Sequence, residues 1–349
     1  LVIPTVIAPA TGPVLGGFLV DQLSWRWVFF VNVPVGIAAC LFGLIFLYEH
    51  REPTAGRFDL VGFFLAGLGL ALIMYALSEG PTYGWLSAGI LGSAIVGLIV
   101  LGAFIAIELR TREPMIDLHL LGDRLFRSTN LISFFASAGF LGLLFVGPLF
   151  LQEARGVSAL VSGLTTFPEA IGVVLSTQIV ARLYPRVGPR RLMAGGLTGV
   201  AVAMSLLCLM GGDTTLWLMR VLMFLIGAGM AYSFLPVQAA AFATITPAAT
   251  GRASAIYNAQ RQLGAALGVA VLGTVLSAIG PFHITAAGAA QPNLLAYHIA
   301  FLAAAALALT GACIALTVHD RDAAATMQRS VKKTKQSDAE NALAGAVVP

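Results

Sequence analysis

Two charged residues of this sequence stand inside long apolar runs, where they could carry chemistry. Glu169 follows Pro168 near the middle of one run, and Arg261 lies within another. A charge at the centre of a bilayer costs about 3 kcal/mol on insertion scales, so such residues usually face a cavity or neighbouring helices. Glu169 is therefore a candidate proton or cation site, and a neutral, hydrogen-bonded structural acid is an equally good interpretation.

Arg261 belongs to a polar stretch of its apolar run. It lies about 13 Å of helix rise beyond Arg252, which is too deep for easy snorkelling to the membrane surface. The sequence predicts a buried polar face formed by Asn258, Arg261 and Gln262. Bonding of the Arg261 guanidinium to backbone carbonyls is favoured over contact with a substrate.

Glycines at four-residue spacing occur in two of the apolar runs. Gly12 and Gly16 form one pair, and Gly264 and Gly268 form the other. This spacing puts two small residues on one helix face, which lets another helix backbone approach closely. Pro13 removes a helix hydrogen bond and permits bending. Residue types alone favour helix packing for the first pair, with a flexible gate as the alternative.

Patterns that support covalent catalysis or metal binding are absent from the sequence. It contains no HExxH, GxSxG or P-loop motif and no paired histidines. Cys40, Cys208 and Cys313 lie far apart in apolar runs, without metal-ligand or CxxC spacing. We therefore expect no enzyme activity, no cofactor, no metal and no disulfide.

Composition indicates the class of protein. Among 349 residues there are 20 Lys or Arg and 16 Asp or Glu, so only 10% are charged, against about 25% in soluble domains. Hydrophobic residues make up 58%, and the mean hydropathy of +0.89 indicates an integral membrane protein. The arginines are scattered, so the net charge of +4 does not predict nucleic-acid binding. The expected partner of this surface is the lipid bilayer.

Ten apolar runs are long enough, at about 20 residues each, to cross a bilayer as helices. Their approximate limits are Leu1 to Val20, Trp27 to Tyr48, Leu60 to Ser78, Trp85 to Ile107, Ser128 to Gln152, Val157 to Ala181, Leu192 to Gly212, Leu216 to Phe242, Ser254 to Ala278 and Leu294 to Val318. The sequence thus predicts an all-α membrane protein of about ten transmembrane helices. The loop from Arg110 to Arg127 mixes charges with apolar residues and is expected at the membrane surface. The polar tail from His319 is expected to be disordered.

The distribution of Lys and Arg orients the ten spans. Sixteen of these residues lie in the tail and in the loops after even-numbered spans: Arg51, Arg57, Arg110, Arg112, Arg124, Arg127, Arg182, Arg186, Arg190, Arg191, Arg252, Arg321, Arg329, Lys332, Lys333 and Lys335. Only Arg26, Arg155 and Arg220 lie on the other side. By the positive-inside rule we expect a multi-pass protein of the plasma membrane with both termini in the cytoplasm.

Two adjoining segments near the start of the chain are similar to a known family. Residues 12–17 read Gly-Pro-Val-Leu-Gly-Gly, and residues 25–36 read Trp-Arg-Trp-Val-Phe-Phe-Val-Asn-Val-Pro-Val-Gly. They resemble the fifth and sixth helices of fourteen-helix drug:proton antiporters of the major facilitator superfamily. The resemblance implies that Gly12, Pro13, Gly16 and Gly17 belong to the antiporter motif, with a role in gating.

Two downstream segments are similar to the same family. Residues 181–191 resemble the basic cytoplasmic loop inside a six-helix bundle, with Arg182, Arg186, Gly188, Arg190 and Arg191 as its candidate residues. An orientation signal with a tight turn is the simpler interpretation of that loop. Residues 258–270 look like a family helix whose glycine spacing repeats that of the first span, as duplicated halves would require.

The resemblance divides the chain into parts of a fourteen-helix carrier, from the fifth helix to the last. The expected parts are the last two helices of an N-terminal bundle (1–48), an inserted helix pair (49–109), a cytoplasmic interfacial loop (110–127), a six-helix C-terminal bundle (128–318) and a disordered cytoplasmic tail (319–349). The first four helices of such a carrier have no counterpart in this sequence.

The resemblance also implies a function. The expected activity is proton-coupled efflux of hydrophobic or cationic drugs by alternating access, in which the bundles rock around a central cavity. Such a carrier draws its energy from a proton gradient, needs no cofactor and is expected to be a monomer. Expected substrate contacts are Phe134, Phe135, Phe140, Phe167, Tyr232 and Phe234. A carrier for another small metabolite, or a non-functional fragment of an exporter, is the alternative.

Overall fold

The computed structural model describes residues 2–46, 59–111, 117–284, 290–324 and 326–327. The α-helices in these residues are α1 (Val2–Gln22), α2 (Trp27–Phe30), α3 (Asn32–Phe46), α4 (Leu60–Tyr83), α5 (Ala88–Glu108), α6 (Arg124–Leu149), α7 (Ala159–Thr166), α8 (Pro168–Val187), α9 (Pro189–Leu206), α10 (Leu216–Ala241), α11 (Thr250–Ile279) and α12 (Leu294–Ala315). Two short strands, β1 (Phe282–Ile284) and β2 (Ala290–Pro292), lie between the last two helices.

Most of the helices are long enough to cross a membrane. Within the described ranges, nine segments have the length and apolar composition of a membrane span. The helix α1 is 21 residues long and adds a tenth long helix to these nine. The prediction of an all-α membrane protein with about ten transmembrane helices is confirmed.

Three of the predicted spans are not continuous helices. A turn at Val31 separates α2 from α3, and a break at Phe167 separates α7 from α8. Pro168 follows the second break, and proline cannot donate the backbone hydrogen bond that would continue a helix. After Pro148, the helix α6 changes into a π-helical turn, Phe150–Ala154. The apolar composition of each of these runs is uniform, so composition alone does not show where the helix is interrupted.

The main buried core lies among α6, α9, α10 and α12. The ring of Phe150 meets those of Tyr297 and Phe301 edge-on, with centroids 5.6 and 5.5 Å apart. Between α6 and α12 the contact depends on small residues, because a Cβ at Gly139 would lie 2.7 Å from the carbonyl oxygen of Ala304. Helices in lipid associate through such close packing, since lipid is as apolar as their side chains.

Successive membrane spans of the bundle run antiparallel, which gives the bundle two distinct ends. We call the basic end the one where α6 and α11 begin and α8 meets α9, because Arg124, Arg252 and Arg190 lie there. The other is the opposite end, where α6 finishes and α7 and α10 begin.

The helices α4 and α5 pack against each other, and α4 packs on the side of α11. The indole Nε1 of Trp85, in the turn after α4, donates a hydrogen bond to Oγ1 of Thr274, 2.9 Å away. A Cβ at Gly273 would meet the ring of Pro81 at 3.5 Å, an ordinary contact. The helices α4 and α5 are therefore attached to the side of α11 through α4 and the turn that follows it.

The first helices differ from the rest in how they are covered. The helix α1 lies against α7 and α8. In contrast, none of the fifteen residues of α3, all of them described, is buried. The part of the chain before α4 is thus held to the bundle through α1.

The loop predicted to lie at the membrane surface, residues 110–127, is shorter than expected. Its residues 112–116 lie outside the described ranges, and Leu118–Gly122 forms a 3₁₀ helix. The helix α6 then begins at Arg124, because the carboxylate of Asp123 accepts a hydrogen bond from the backbone N–H of Phe126 at 2.8 Å and caps it. The end of the predicted loop, from Arg124 onward, therefore belongs to a membrane span.

The connection between α11 and α12 contains a hairpin that the sequence did not predict. The strands β1 and β2 pair antiparallel, with His283 opposite Gln291. Residues 285–289 lie outside the described ranges. The hairpin lies at the opposite end beside Asn293, whose side chain donates to the carbonyl of Gly280 at 2.9 Å.

The first residues of the tail, which the sequence predicts to be disordered from His319, are packed against the bundle. Ala323 is fully buried, and the hydroxyls of Tyr184 and Thr326 are 2.8 Å apart. The start of the tail thus packs on the basic end of α8, because it offers an apolar side chain and a hydroxyl to that surface. Residues 325 and 328–349, including the lysine cluster of the tail, lie outside the described ranges.

Candidate functional site

A cavity of about 640 Å³ lies between α6, α8, α10 and α11, beside Pro13 of α1. The residues that line it are Pro13, Ser137, Phe140, Leu141, Leu144, Glu169, Ala170, Val173, Thr177, Ala231, Phe234, Leu235, Gln238, Phe242, Ser254, Tyr257, Asn258 and Arg261. A mainly apolar lining with a few polar groups is typical of small-molecule sites, as is this volume.

Two of the six aromatic residues expected to contact a substrate lie in this cavity. Phe140 and Phe234 line it, with their rings edge-on at 6.0 Å. The other four, Phe134, Phe135, Phe167 and Tyr232, do not line it. Phe242 and Gln238 also line the cavity, and the sequence does not predict this. Neither residue belongs to a motif, and both reach the cavity only because of how the folded bundle orients them.

Glu169 reaches the cavity from the first turn of α8, just after the break at Phe167. Two glycines bring the backbones of α8 and α10 together there. A side chain at Gly227 would collide with the carbonyl of Glu169, and one at Gly172 would collide with the carbonyl of Phe224. The half-buried carboxylate of Glu169 makes no hydrogen bond or ion pair within the described residues.

The prediction that the polar face of α11 is buried is wrong. Asn258, Arg261 and Gln262 are all exposed, because this side of α11 faces the cavity and its mouth and not the neighbouring helix. Asn258 and Arg261 line the cavity, whereas Gln262 does not. The amide of Asn258 donates to the carbonyl of Ser254 at 2.9 Å. Arg261 makes no hydrogen bond to a backbone carbonyl in the described chain, in contrast to the role favoured from the sequence.

The glycines of α11 pack as the sequence predicts. A side chain at Gly264 would collide with the carbonyl of Phe134, and one at Gly268 would collide with that of Ala138. Both carbonyls belong to α6, so the small residues let the two backbones touch. This contact holds α11 in place while its other side faces the cavity.

The close contact of α1 lies one residue away from its predicted position. Gly17 is buried, and a Cβ there would lie 2.5 Å from the carbonyl oxygen of Ala159 at the start of α7. A side chain at Gly163 would collide with the carbonyl of Pro13 in return. Gly12 and Gly16 have no described atom within 4 Å of a Cβ placed on them. We call the contact of Pro13 and Gly17 with Ala159 and Gly163 the α1–α7 seam.

Asp21 adds a polar contact to this seam, and sequence reasoning did not identify it. Its two carboxylate oxygens accept hydrogen bonds from the backbone N–H groups of Leu160 at 2.7 Å and Ala159 at 3.2 Å. The hydroxyl of Ser158 accepts from Val161 at 3.3 Å, so the first turn of α7 is capped from its own chain and from α1. A negative charge is also favoured at a helix N-terminus by the helix dipole.

The residues of the predicted basic loop lie together at the basic end. Gly188 joins α8 to α9 with a φ of +84°, a conformation that glycine adopts readily. The carboxylate of Asp320 accepts from the backbone N–H of Arg190 at 2.9 Å and caps α9. The side chains of Arg182, Arg186, Arg190 and Arg191 are exposed. Asp320 lies in the segment that the sequence predicts to be a disordered tail, so the sequence does not predict this cap.

No group of three or more His, Cys, Asp or Glu side chains in the described ranges is placed to hold a metal ion. The site therefore has to be interpreted from its cavity, from the two charged residues that line it and from the seam beside it.

A family model matches most of this sequence. The model of the Major Facilitator Superfamily matches residues 2–269 of this chain and, in a second overlapping match, residues 129–345. The chain belongs to the Major Facilitator Superfamily. Members of this superfamily are membrane transporters.

Several curated relatives are similar to this chain. Multidrug resistance protein Stp of Mycobacterium tuberculosis is 34% identical over 275 residues, which cover 78% of this chain and 50% of the relative. Multidrug transporter protein MdtP of Bacillus subtilis is 32% identical over 273 residues, which cover 78% and 50%. The puromycin resistance protein of Streptomyces alboniger is 33% identical over 270 residues, which cover 76% and 54%. The chain spans about half the length of these relatives.

Proposed function

We propose that this protein is an efflux carrier for hydrophobic or cationic drugs that exchanges them for protons. The observation that carries the proposal is the cavity, which presents an unpaired carboxylate, Glu169, above an aromatic wall that includes Phe140 and Phe234. Aromatic rings bind drug-like molecules through large apolar contacts, and a carboxylate attracts a cation. The names of the relatives, which refer to multidrug, puromycin and lincomycin resistance, agree with such substrates.

Proton coupling in this proposal depends on competition at Glu169. A carboxylate among apolar residues is costly when it is charged and unpaired, so it is occupied either by a proton or by a cationic substrate. Occupation by one excludes the other. A proton arriving from one side would therefore release a cation bound from the other, which is the exchange that an antiporter requires.

The two ends of the bundle supply the gate. The cavity extends from Glu169 toward the basic end, where Ser254 and Asn258 line it, while the α1–α7 seam closes the opposite end. The positive-inside rule puts the basic end and both termini in the cytoplasm. In this proposal the structure is the inward-facing state, and opening of the seam with Gly17 and Asp21 produces the outward-facing one. The cavity and its gate lie in one chain, so the carrier works as a monomer in the lipid bilayer.

The experiment that tests this function is efflux of a cationic dye by Glu169→Gln, measured in cells that express the complete reading frame. The amide keeps the size of the side chain and removes its charge, so we expect the initial rate to fall by about tenfold or more and its dependence on external pH to disappear. The matched control is Glu79→Gln, because Glu79 is a half-buried glutamate outside the cavity that makes no hydrogen bond or ion pair within the described residues. A rate and a pH dependence unchanged in Glu169→Gln would contradict the role of this residue. Absence of efflux by the unaltered protein, with uptake of the dye instead, would contradict the export function.

A further inference from the structure

The cavity contains a second charge, of the opposite sign to Glu169. Arg261 lines the same cavity from α11. Neither side chain makes a hydrogen bond or an ion pair with the described part of the chain. A guanidinium in a membrane span is costly unless a partner compensates its charge. Two unpaired charges of opposite sign in one cavity suggest a ligand with two charged groups.

The register of the helices separates the two charges along the bundle. The backbone of Glu169 touches Gly227, and the ring of Tyr257 lies 5.9 Å from that of Phe242. From Gly227 to Phe242 is 15 residues, or about 22 Å of helix rise. Arg261 is one turn from Tyr257 on the side of Glu169, which reduces the separation to about 16 Å. No ion pair joins the two side chains across this separation of the helix backbones, so the two side chains and a bound molecule would have to span it together.

The lining changes in character between the two charges. The rings of Phe140 and Phe234 lie between the level of Glu169 and that of Arg261. Around Arg261 the cavity becomes polar, with the side chains of Asn258 and Gln238. A carboxylate, an aromatic wall and a guanidinium beside two amides therefore follow one another toward the basic end.

We propose that Arg261 is an anion-binding, specificity-determining residue of this cavity, and that the preferred substrates are amphoteric. Such a molecule carries a cationic group that lies at Glu169, an aromatic body against Phe140 and Phe234, and a carboxylate or similar anion at Arg261. The planar guanidinium forms two parallel hydrogen bonds to a carboxylate, which gives direction as well as attraction. A substrate with only a cation leaves Arg261 unpaired, whereas an amphoteric one compensates both protein charges. This inference rests on the proposed function, because it assigns a substrate class to the same cavity.

The test uses two dyes that differ in one group. Rhodamine 110 carries a free carboxyl group together with a delocalised cation, and rhodamine 123 is its methyl ester, which lacks the anion. The protein expressed from its complete reading frame is purified into lipid nanodiscs, and the Kd of each dye is measured by fluorescence polarisation. We expect the unaltered protein to bind rhodamine 110 more tightly than rhodamine 123.

The Arg261→Gln variant separates the roles of the arginine. We expect its Kd for rhodamine 110 to rise by about tenfold or more, because a hydrogen-bonded ion pair is lost, while its Kd for rhodamine 123 changes by less than about twofold. Arg261→Lys keeps the positive charge but lacks the planar guanidinium that forms two parallel hydrogen bonds. Its affinity for rhodamine 110 should therefore lie between that of Arg261→Gln and that of the unaltered protein, without a change for rhodamine 123. The melting temperature of each variant shows whether it is folded.

The alternative outcomes are distinct. An equal loss of affinity for both dyes, with or without a lower melting temperature, would mean that Arg261 has a structural role and does not select the anion. No change for either dye, or tighter binding of rhodamine 123 by the unaltered protein, would also overturn the proposal. Failure of the proposed function is recognised separately, by efflux of neither dye from vesicles containing the unaltered protein under a proton gradient.

Discussion

The α1–α7 seam and the cavity lie side by side, and they differ in whether their charged side chains have partners. In the seam the carboxylate of Asp21 is matched by two backbone N–H groups, and the helices touch at Gly17 and Gly163. In the cavity Glu169 and Arg261 face open space without a partner among the described residues. The seam is thus built for one helix to hold another. In the proposed function, the cavity holds a ligand that compensates these two charges.

The largest effect that would break this comparison is expected at Gly17. In Gly17→Val the new Cβ would lie 2.5 Å from the carbonyl oxygen of Ala159, so the seam cannot close. Overpacking by a single methylene already costs about 1–3 kcal/mol, and we expect the initial rate of efflux to fall by about tenfold or more. The rate is measured with a fluorescent dye at equal expression in the membrane.

The matched control is Gly16→Val, the neighbouring glycine on the same helix. A Cβ at Gly16 has no described atom within 4 Å, and the rate should stay within about twofold of the unaltered protein. Equal losses at the two positions would mean that the seam is not the contact on which the transport cycle depends.

A smaller effect is expected at Asp21, where the seam has its polar contact. Asp21→Ala removes both acceptors of the α7 amides without adding bulk, so the seam should open more often and not be blocked. We expect the reactivity of a cysteine at Ser162, which is 2% exposed beside the seam, to increase severalfold toward a thiol reagent applied from the opposite end.

Two further variants sharpen the test of Asp21. Asp21→Asn keeps one acceptor oxygen and should show an intermediate reactivity. Asp213→Ala removes an exposed carboxylate from another loop of the opposite end and should show none of the increase. If all three variants behave like the unaltered protein, the Asp21 contact does not hold the seam closed.

The helices and their order could be predicted from the sequence, because each span needs only its own apolar residues to be recognised. The uniform run around Pro168 nevertheless concealed a break, although the proline was the available signal. Local residue types also predicted that Gly264 and Gly268 would meet another backbone, and the structure confirms this. The helical structure of a span and its close-packing glycines can thus largely be predicted from the residues of that span.

The partners of the site could not be predicted in the same way. Gly12, Gly16 and Gly17 have the same residue type, and only the rotation of α1 against α7 decides which of them is covered. The carboxylate of Asp21 accepts a hydrogen bond from the backbone N–H of Leu160, more than a hundred residues away in the chain. No local sequence pattern predicts such a contact. The sequence predicts a buried face for Arg261 because the residue lies too deep in its apolar run for easy snorkelling. It lies at the edge of that face, where the cavity begins.

Thiol labelling at two positions shows whether the cavity and the seam open alternately. In a protein whose native residues Cys40, Cys208 and Cys313 are replaced by serine, a single cysteine is placed at Asn258 in the cavity or at Ser162 beside the seam. At rest we predict labelling of Asn258→Cys from the basic end and protection of Ser162→Cys from the opposite end. During transport under a proton gradient the first should become less reactive and the second more reactive. Transport with Ser162→Cys protected throughout, or with both positions reactive at rest, would contradict the account.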